Sequence, residues 1–247
     1  MEQNKRFKAR TETGMPTTDP HEALTKVRRM LERQTDTDST ALREIGSRRR
    51  ENPFEVLIST ILSQRTRDEN TRRAYSALFR VYKDADDLAE GNLKVIERLI
   101  RPVGFYKVKA RKIKEVATII SQRYGGEVPQ SFEDLLHLPG VGRKTANCVL
   151  VYAFGKPAIP VDTHVHRISN RIGLVETKSP EQTELRLREI IDRRYWLDLN
   201  ELFVRFGQEI CKPIGPRCAV CDLKATCKYY NEVVSQAATP RRRRSRE

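Results

Sequence analysis

The 247-residue sequence predicts an all-α fold. Apolar residues recur at the i, i+3, i+4 spacing of amphipathic helices along most of the chain. Short connections with Gly and Pro, such as YGGEVP and FGKPAIP, separate these segments. No stretch shows the alternation of apolar and polar residues that is typical of a half-buried strand. The length is sufficient for one large domain or two interlocked domains with a sizeable core.

Capping residues mark the starts of the first two helices. Asp19 precedes Pro20 and is followed by Glu22, which is the order expected at a helix N-terminus. Asn52 and Pro53 repeat this order at the start of NPFEVLISTILSQ. Because the apolar run of that segment is too continuous for a surface helix, we expect a buried central helix there.

Further amphipathic segments follow in chain order. They cover residues 70–82, 92–103, 109–124, 142–154, 163–172, 180–195 and 199–211. The polar ends, residues 1–18 and 231–247, are expected to be mobile. The second end closes with PRRRRSRE, which is either a loose phosphate-binding arm or a solvated tail.

The chain is strongly basic. Lys and Arg outnumber Asp and Glu by 47 to 33, which gives a formal net charge of +14. This excess is consistent with solvated charged faces, but also with a polyanionic partner, most often nucleic acid. No apolar run approaches the roughly 20 residues that span a membrane, and the N-terminus lacks the apolar region of a signal peptide. We therefore expect an intracellular protein with no membrane segment.

Four of the five cysteines lie close together near the C-terminal end. They are Cys211, Cys218, Cys221 and Cys227, in the pattern C-x6-C-x2-C-x5-C. In an intracellular chain, this density of thiols indicates a metal site rather than disulfides. Zinc modules usually have two separated CxxC pairs, whereas this loop has one, so a structural [4Fe–4S] cluster is favoured over zinc. Cys148 lies on an apolar helical stretch and is expected to be a core residue.

The segment LPGVGRKTANCVLVYAFGKPAIPVDTH, residues 138–164, places two glycines near a lysine and a carboxylate. Gly140 and Gly142 allow a tight hairpin because glycine readily adopts positive φ. Backbone N–H groups at the start of the next helix can then bind an anion. A Rossmann loop needs a preceding strand and a Walker loop needs G-x-x-x-x-G-K, and neither is present. The remaining candidate is a helix–hairpin–helix that binds a DNA backbone phosphate.

LPGVGRKTA, VDTH and the cysteine loop together resemble endonuclease III, the iron–sulfur, helix–hairpin–helix family of base-excision DNA glycosylases. The resemblance extends over residues 52–227 and includes NPFEVLISTILSQ and GFYKVKARKI. It implies a bifunctional DNA glycosylase/AP lyase that removes oxidised pyrimidines such as thymine glycol and cleaves the strand 3′ to the abasic site by β-elimination. By motif match, Lys144 attacks the sugar C1′ and forms a Schiff base. Asp162 is then the carboxylate that supports the developing positive charge.

The same resemblance implies residues that bind DNA and fill the gap left by an extruded base. The family commonly has a glutamine at the first wedge position. Strict register places Arg65 there, with Gln64 just before it, so the choice between these two residues stays open. Phe105 takes the second, apolar wedge position. The DNA-binding set is completed by Gly140, Gly142, Arg143 and His164.

The resemblance also implies an architecture of two helical domains with a DNA-binding cleft between them. Residues 46–156 would form a six-helix barrel that contains the hairpin, and residues 19–45 and 157–227 would form the cluster-bearing domain. Residues 1–18 and 228–247 would be a flexible N-terminus and a basic tail. We expect a monomer that acts on double-stranded DNA containing damaged pyrimidines or abasic sites, with Lys144 on one lip of the cleft and Asp162 on the other.

Alternative functions stay open within and outside the family. Adenine mismatch glycosylases lack the hairpin lysine, carry a glutamate where this chain has Thr60, and append a large C-terminal domain. Thymine-mismatch relatives have tyrosine in place of the lysine, so a mismatch-specific thymine or uracil glycosylase is a second candidate. A non-catalytic iron–sulfur DNA-binding protein is a third, although binding alone requires neither Lys144 nor Asp162.

Overall fold

A computed structural model describes residues 18–33 and 52–235, and this part of the chain contains helices but no strand, as the sequence predicts. In chain order the α-helices are α1 (Pro20–Glu32), α2 (Pro53–Ser63), α3 (Asp68–Val81), α4 (Ala85–Glu90), α5 (Leu93–Leu99), α6 (Tyr106–Tyr124), α7 (Phe132–Leu136), α8 (Arg143–Phe154), α9 (Thr163–Arg171), α10 (Pro180–Ile190) and α11 (Trp196–Glu209). Short 3-10 or π turns occur at Arg193–Tyr195, Cys218–Val220 and Tyr230–Val234.

The described chain divides into two compact units. Residues 52–160 form the first, here called the hairpin unit, and residues 18–33 and 161–235 form the second, here called the cysteine unit. The six-helix barrel and the DNA-binding cleft implied by the resemblance stay predictions. The basic segment PRRRRSRE, residues 240–247, lies outside the described residues.

Helices α2 and α8 pack against each other in the core of the hairpin unit. The Asn52 side chain accepts a hydrogen bond from the Glu55 N–H at 3.2 Å, and Pro53 follows as the first helical residue. Every residue from Phe54 to Leu62 is buried, so the prediction of a buried central helix is confirmed. Cys148 on α8 is fully buried, which confirms its assignment to the core. The α2–α8 contact fixes the position of the first turn of α8.

Helix α11 packs against both α1 and α9 in the cysteine unit. Phe203 and Phe206 of α11 are fully buried, and burial of a large apolar side chain contributes about 1.5–3 kcal/mol. The Asp19 side chain caps α1 by accepting from the Glu22 N–H at 2.8 Å, as predicted. The predicted inner face of α1 is also buried and comprises Ala23, Leu24, Val27, Met30 and Leu31.

Several element boundaries differ from those predicted. Helix α6 begins at Tyr106 rather than at residue 109, directly after Phe105 in a left-handed conformation. The predicted segments 92–103 and 180–195 end earlier, at Leu99 and Ile190. Short helices α4 and α7 lie in segments for which no helix was predicted. In the described residues, no helix combines the length and apolarity required to cross a membrane.

The chain continues past the cysteine loop as a short helical turn. Residues 231–235 are helical, and the mobility expected of the C-terminal end stays a prediction. The ring of Tyr230 lies 5.0 Å from Nζ of Lys224, and the ring of Tyr229 lies 4.4 Å from Cζ of Arg171. The first contact joins the turn to the cysteine loop, and the second joins the residue before the turn to the end of α9.

Candidate active site and cysteine pocket

The predicted hairpin forms between α7 and α8 in the hairpin unit. The Val141 N–H donates to the Leu138 carbonyl at 3.1 Å, and Gly140 has a φ of +78°. A Cβ atom on Gly140 would lie only 2.9 Å from Cδ of Lys112. The backbone conformation therefore favours glycine at this position, whereas the flexible Lys112 side chain could move aside.

The first turn of α8 places backbone N–H groups beside Lys144. Gly142 is the exposed N-cap residue and has no side chain that could bond these groups. Lys144 is the second residue of the helix and is half-buried. Cζ of Arg143 lies 4.9 Å from the ring centroid of Phe132, in a cation–π contact. This arrangement can bind an anion at the helix start, with a primary amine in the same turn.

Asp162 is the N-cap residue of α9 in the cysteine unit. Its Oδ1 accepts hydrogen bonds from the backbone N–H groups of His164 at 2.9 Å and Val165 at 2.8 Å. Neither bond uses Oδ2. Capping therefore fixes the orientation of the carboxylate through one oxygen and leaves the second available for other contacts.

His164 is half-buried within the cysteine unit. Its Nδ1 lies 3.3 Å from Nη2 of Arg167, and a Cβ atom on Gly207 would lie 2.3 Å from the same Nδ1. The ring therefore occupies space that only glycine at position 207 leaves free. His166 makes a separate contact, from Nδ1 to Oγ1 of Thr183 at 2.7 Å. A DNA contact of His164 stays a prediction.

The loop after α2 gives Gln64 and Arg65 different environments. Nε2 of Gln64 donates to the Gly140 carbonyl at 2.9 Å and to Oγ1 of Thr145 at 3.2 Å. These bonds fix the Gln64 amide to the hairpin. Arg65 is exposed and has a φ of +51°, a left-handed conformation that is uncommon outside glycine.

Phe105, the second predicted wedge residue, lies beside Arg65. The ring of Phe105 is 64% exposed, and its centroid is 6.0 Å from Cζ of Arg65. Phe105 is also left-handed, with a φ of +58°. A Cβ atom on Gly104 would lie 3.0 Å from the Arg65 carbonyl oxygen, so the two loops approach closely. Arg65 and Phe105 thus form an adjacent, exposed pair, which we call the wedge pair.

The four cysteines Cys211, Cys218, Cys221 and Cys227 line one pocket in the cysteine unit. Arg171 lies at its edge and donates from Nη1 to the Lys212 carbonyl at 2.7 Å and from Nη2 to the Pro213 carbonyl at 2.8 Å. Nη1 of Arg171 also lies 3.8 Å from Sγ of Cys211. The cysteine loop is therefore tied to the end of α9.

The environment of three of these thiols, Cys218, Cys221 and Cys227, favours their neutral form. Burial raises the pKa of the Cys221 thiol to about 11 and also raises those of Cys218 and Cys227, with neighbouring cysteines adding to each shift. Four thiolates in this pocket would need positive charge from a bound group. Across residues 18–33 and 52–235, no three or more His, Cys, Asp or Glu side chains are grouped so that they could hold a metal ion.

Lys109 is a residue near the wedge pair that the sequence patterns do not single out. It is 5% exposed, and its Nζ lies within hydrogen-bond distance of the Leu62 and Gln64 carbonyls and of Oγ1 of Thr66. The sequence feature that could have indicated its burial is its position on the apolar face of α6, four residues before Ile113. A lysine on such a face normally extends to solvent, so the pattern alone indicates nothing unusual.

Comparison with known proteins places the chain in a family. Residues 58–193 match the HhH-GPD superfamily base excision DNA repair protein family. The chain is 52% identical to endonuclease III of Thermotoga maritima over 178 residues, which are 72% of this chain and 84% of that protein. One similar solved structure is a trapped endonuclease III–DNA covalent intermediate, an estranged-adenine complex. Its TM-score is 0.74, its sequence identity is 33%, and the match covers 85% of this chain and 96% of that chain. A thermostable thymine-DNA glycosylase gives a TM-score of 0.71 with 28% identity over 84% of this chain and 94% of its own. The chain therefore belongs to the endonuclease III family of the HhH-GPD superfamily of base excision DNA repair proteins.

Proposed function

We propose that this DNA glycosylase/AP lyase removes oxidised pyrimidines from duplex DNA and cleaves the resulting abasic site by β-elimination, with Lys144 as nucleophile. The observation that carries this proposal is the position of Lys144 in the first turn of α8, where the N-cap residue Gly142 provides no side-chain cap. A phosphate bound there would bring the neighbouring sugar within reach of the amine. The similarity to a covalent endonuclease III–DNA intermediate supports the same assignment.

Lys144 supplies the nucleophile for both steps of the reaction. Its neutral Nζ forms a bond to C1′ while the bond from C1′ to the base breaks, and the base leaves with the electron pair and takes up a proton. Ring opening then gives a protonated Schiff base. This cation allows loss of a proton from C2′ and departure of the 3′ phosphate, which cleaves the strand. Hydrolysis of the remaining imine regenerates the amine.

Asp162 is proposed to assist base release through Oδ2. A free lysine is almost entirely protonated at neutral pH, so a base has to take a proton before the amine can attack. The carboxylate can accept this proton and can stabilise the positive charge that develops on the sugar. Its bonds to the N–H groups of His164 and Val165 hold the other oxygen still, so the carboxylate keeps a fixed orientation during the reaction.

The wedge pair is proposed to enter the duplex when the damaged base leaves the stack. Arg65 is exposed in the loop after α2, whereas Gln64 is bonded to the hairpin. We therefore assign the gap-filling role to Arg65 and a loop-anchoring role to Gln64. The exposed ring of Phe105 can stack on a base next to the gap.

The cysteine pocket is proposed to hold a [4Fe–4S] cluster through Cys211, Cys218, Cys221 and Cys227. The chemistry of the donor set fits the cluster, because four cysteines line one pocket and each thiolate can ligate one iron, although the described side chains are not grouped for metal binding as they stand. When bound, the cluster would cross-link the loop between α11 and the turn at Tyr230–Val234. Exposed Lys212, Arg217 and Lys224 on this loop could then face DNA phosphates in fixed positions.

Individual residues bear on two alternative substrates, mismatched adenine and mismatched thymine or uracil. An adenine mismatch glycosylase would carry a glutamate at position 60, but here Thr60 is fully buried and its hydroxyl donates to the Val56 carbonyl at 2.7 Å. The similarity to a thymine-DNA glycosylase favours mismatched thymine or uracil as a second candidate substrate. Lys144, where thymine-mismatch relatives have tyrosine, favours the bifunctional reaction.

A panel of duplexes tests the substrate assignment. Each duplex carries thymine glycol, a hydroxycytosine, uracil opposite guanine, thymine opposite guanine, or a preformed abasic site, and base release and strand cleavage are scored separately under single-turnover conditions. We expect thymine glycol and hydroxycytosine to be released fastest, with cleavage following without added alkali. Faster release of mismatched thymine or uracil would support the second candidate. Binding without release or cleavage would contradict catalysis altogether.

A further inference from the structure

Lys109 forms a buried connection between α6 and the loop that carries Arg65. Its Nζ donates to the Leu62 carbonyl at 2.6 Å, to the Gln64 carbonyl at 2.5 Å and to Oγ1 of Thr66 at 2.9 Å. These three acceptors lie on either side of Arg65 in the chain. A single side chain therefore bonds the last turn of α2 and both neighbours of Arg65.

The same hydrogen-bond network also reaches the loop that carries Phe105. Oγ1 of Thr66 also accepts a hydrogen bond from the Gly104 N–H at 3.3 Å, directly before Phe105. Lys109 itself lies in the first turn of α6, where its N–H donates to the Phe105 carbonyl at 3.0 Å. Lys109 is thus bonded to both neighbours of Arg65 through its side chain and to Phe105 through its backbone N–H.

Both wedge residues need such support. Arg65 and Phe105 have φ values of +51° and +58°, and non-glycine residues in this region are strained unless the surrounding structure holds them there. Released from these bonds, each residue would favour ordinary negative φ, which would re-aim its side chain. The strain is therefore maintained by tertiary contacts rather than by local sequence.

The ammonium of Lys109 suits this position electrostatically. The carbonyls of Leu62 and Gln64 belong to the C-terminal end of α2, where the helix dipole favours a positive charge. Burial nevertheless lowers the pKa of Lys109 to about 8, so holding the charged form here opposes folding.

We propose that Lys109 is a positioning residue for base extrusion, which holds Arg65 and Phe105 in the orientation that enters the duplex. This inference rests on the proposed function, because it explains how the wedge pair is held in the orientation proposed for entering the duplex. Lys109 touches neither the base nor the sugar in this scheme. Its loss should impair extrusion of a stacked base and leave the chemistry of Lys144 on an abasic site largely intact.

Lys109→Met tests this proposal, because methionine keeps most of the side-chain volume and removes the donors. The chain offers a matched control in Lys114→Met on the same helix, since Nζ of Lys114 donates to the Ala89 and Gly91 carbonyls at 2.6 Å each, away from the wedge pair. Two activities are compared, base release from a thymine-glycol duplex and borohydride trapping on a preformed abasic site. A third readout is the fluorescence of 2-aminopurine opposite a tetrahydrofuran abasic analogue, which rises when the base is unstacked.

We expect Lys109→Met to slow base release by about tenfold to a hundredfold and to abolish most of the fluorescence rise, as a displaced positioning group would. Trapping should change little, and Lys114→Met should match wild type in all three readouts. Lys109→Arg, which retains the charge and the donors, should restore part of the fluorescence rise. If Lys109→Met behaves like Lys114→Met, or if base release and trapping fall together, the proposal is wrong.

A second variant covers the case in which Lys109→Met does not fold. Thr66→Val removes the shared acceptor at nearly constant shape, and we expect it to reduce the fluorescence rise and base release while trapping persists. Unchanged fluorescence in Thr66→Val would contradict the proposal. Failure of the proposed function has a different signature, namely a wild-type protein that unstacks 2-aminopurine but releases no oxidised pyrimidine. The Lys109 comparison is then decided by fluorescence alone.

Discussion

Asp162 has two separable tasks, and substitutions that distinguish them test the proposed mechanism. As an N-cap it accepts two backbone hydrogen bonds through Oδ1, and as a catalytic group it would act through Oδ2. Asparagine caps helices about as well as aspartate, whereas alanine at an N-cap costs about 0.5–2 kcal/mol. Asp162→Asn should therefore preserve the fold, and Asp162→Ala should destabilise it.

The catalytic consequence is expected to be the same for both variants. In Asp162→Asn, Oδ1 still accepts from the N–H groups, so the amide nitrogen takes the place of Oδ2. A neutral NH₂ group cannot accept a proton or stabilise a developing cation. Loss of a general base typically reduces a rate by about 10²–10⁴-fold, and we expect base release to fall within this range in both variants.

The measurements are the free energy of unfolding by denaturant titration and single-turnover release of thymine glycol. Asp162→Asn should unfold within about 0.5 kcal/mol of wild type, and Asp162→Ala should lose about 1 kcal/mol. Asp19 offers a matched control, because it caps α1 by accepting from the Glu22 N–H. Asp19→Ala should lose comparable stability without slowing base release. Wild-type base release by Asp162→Asn, with a defect only in Asp162→Ala, would refute the catalytic assignment and leave Asp162 as a cap.

Three further predictions concern the hairpin, the wedge loop and the cysteine pocket. Gly140→Ala should lose about 1–2 kcal/mol of stability, because Gly140 has a φ of +78° and Lys112 lies where a Cβ atom would be. The variant should also bind duplex DNA more weakly, and unchanged affinity would contradict phosphate binding by the hairpin. Arg65→Ala should abolish 2-aminopurine unstacking while retaining DNA binding. Gln64→Glu should instead weaken DNA binding by disturbing the hairpin. If Gln64→Glu abolishes unstacking and Arg65→Ala weakens binding, Gln64 is the gap filler. The purified protein should be coloured and contain about four iron and four sulfide per chain, and Cys221→Ser should lose both; a colourless protein with one zinc ion would contradict the cluster assignment.

Local chemistry explains which parts of the fold could be predicted. The starts of α1 and α2 follow from Asp19–Pro20 and Asn52–Pro53, because a cap and a first-turn proline act within one turn of helix. The start of α6 lacks such a signal, since Phe105 is left-handed and provides no side-chain cap. Its conformation is held by contacts with the distant loop that follows α2.

In the candidate site as well, features set by local sequence were predictable and features set by tertiary contacts were not. The glycine turn before α8 was predictable, because Gly140 is required by its own φ. The choice between Gln64 and Arg65 was not, since it depends on a hydrogen bond from Gln64 to Gly140, 76 residues further along the chain. Lys109 was missed for the same reason, as its burial and its acceptors are set by tertiary packing.

The most direct test of the account is to identify the atom that becomes attached to DNA. The full chain is incubated with a thymine-glycol duplex in borohydride, and the trapped adduct is digested and its modified residue is mapped by mass spectrometry. The account predicts a single adduct at Lys144 and no adduct in Lys144→Gln, with folding and DNA binding retained. An adduct at another amine, or undiminished trapping and strand cleavage in Lys144→Gln, would contradict it.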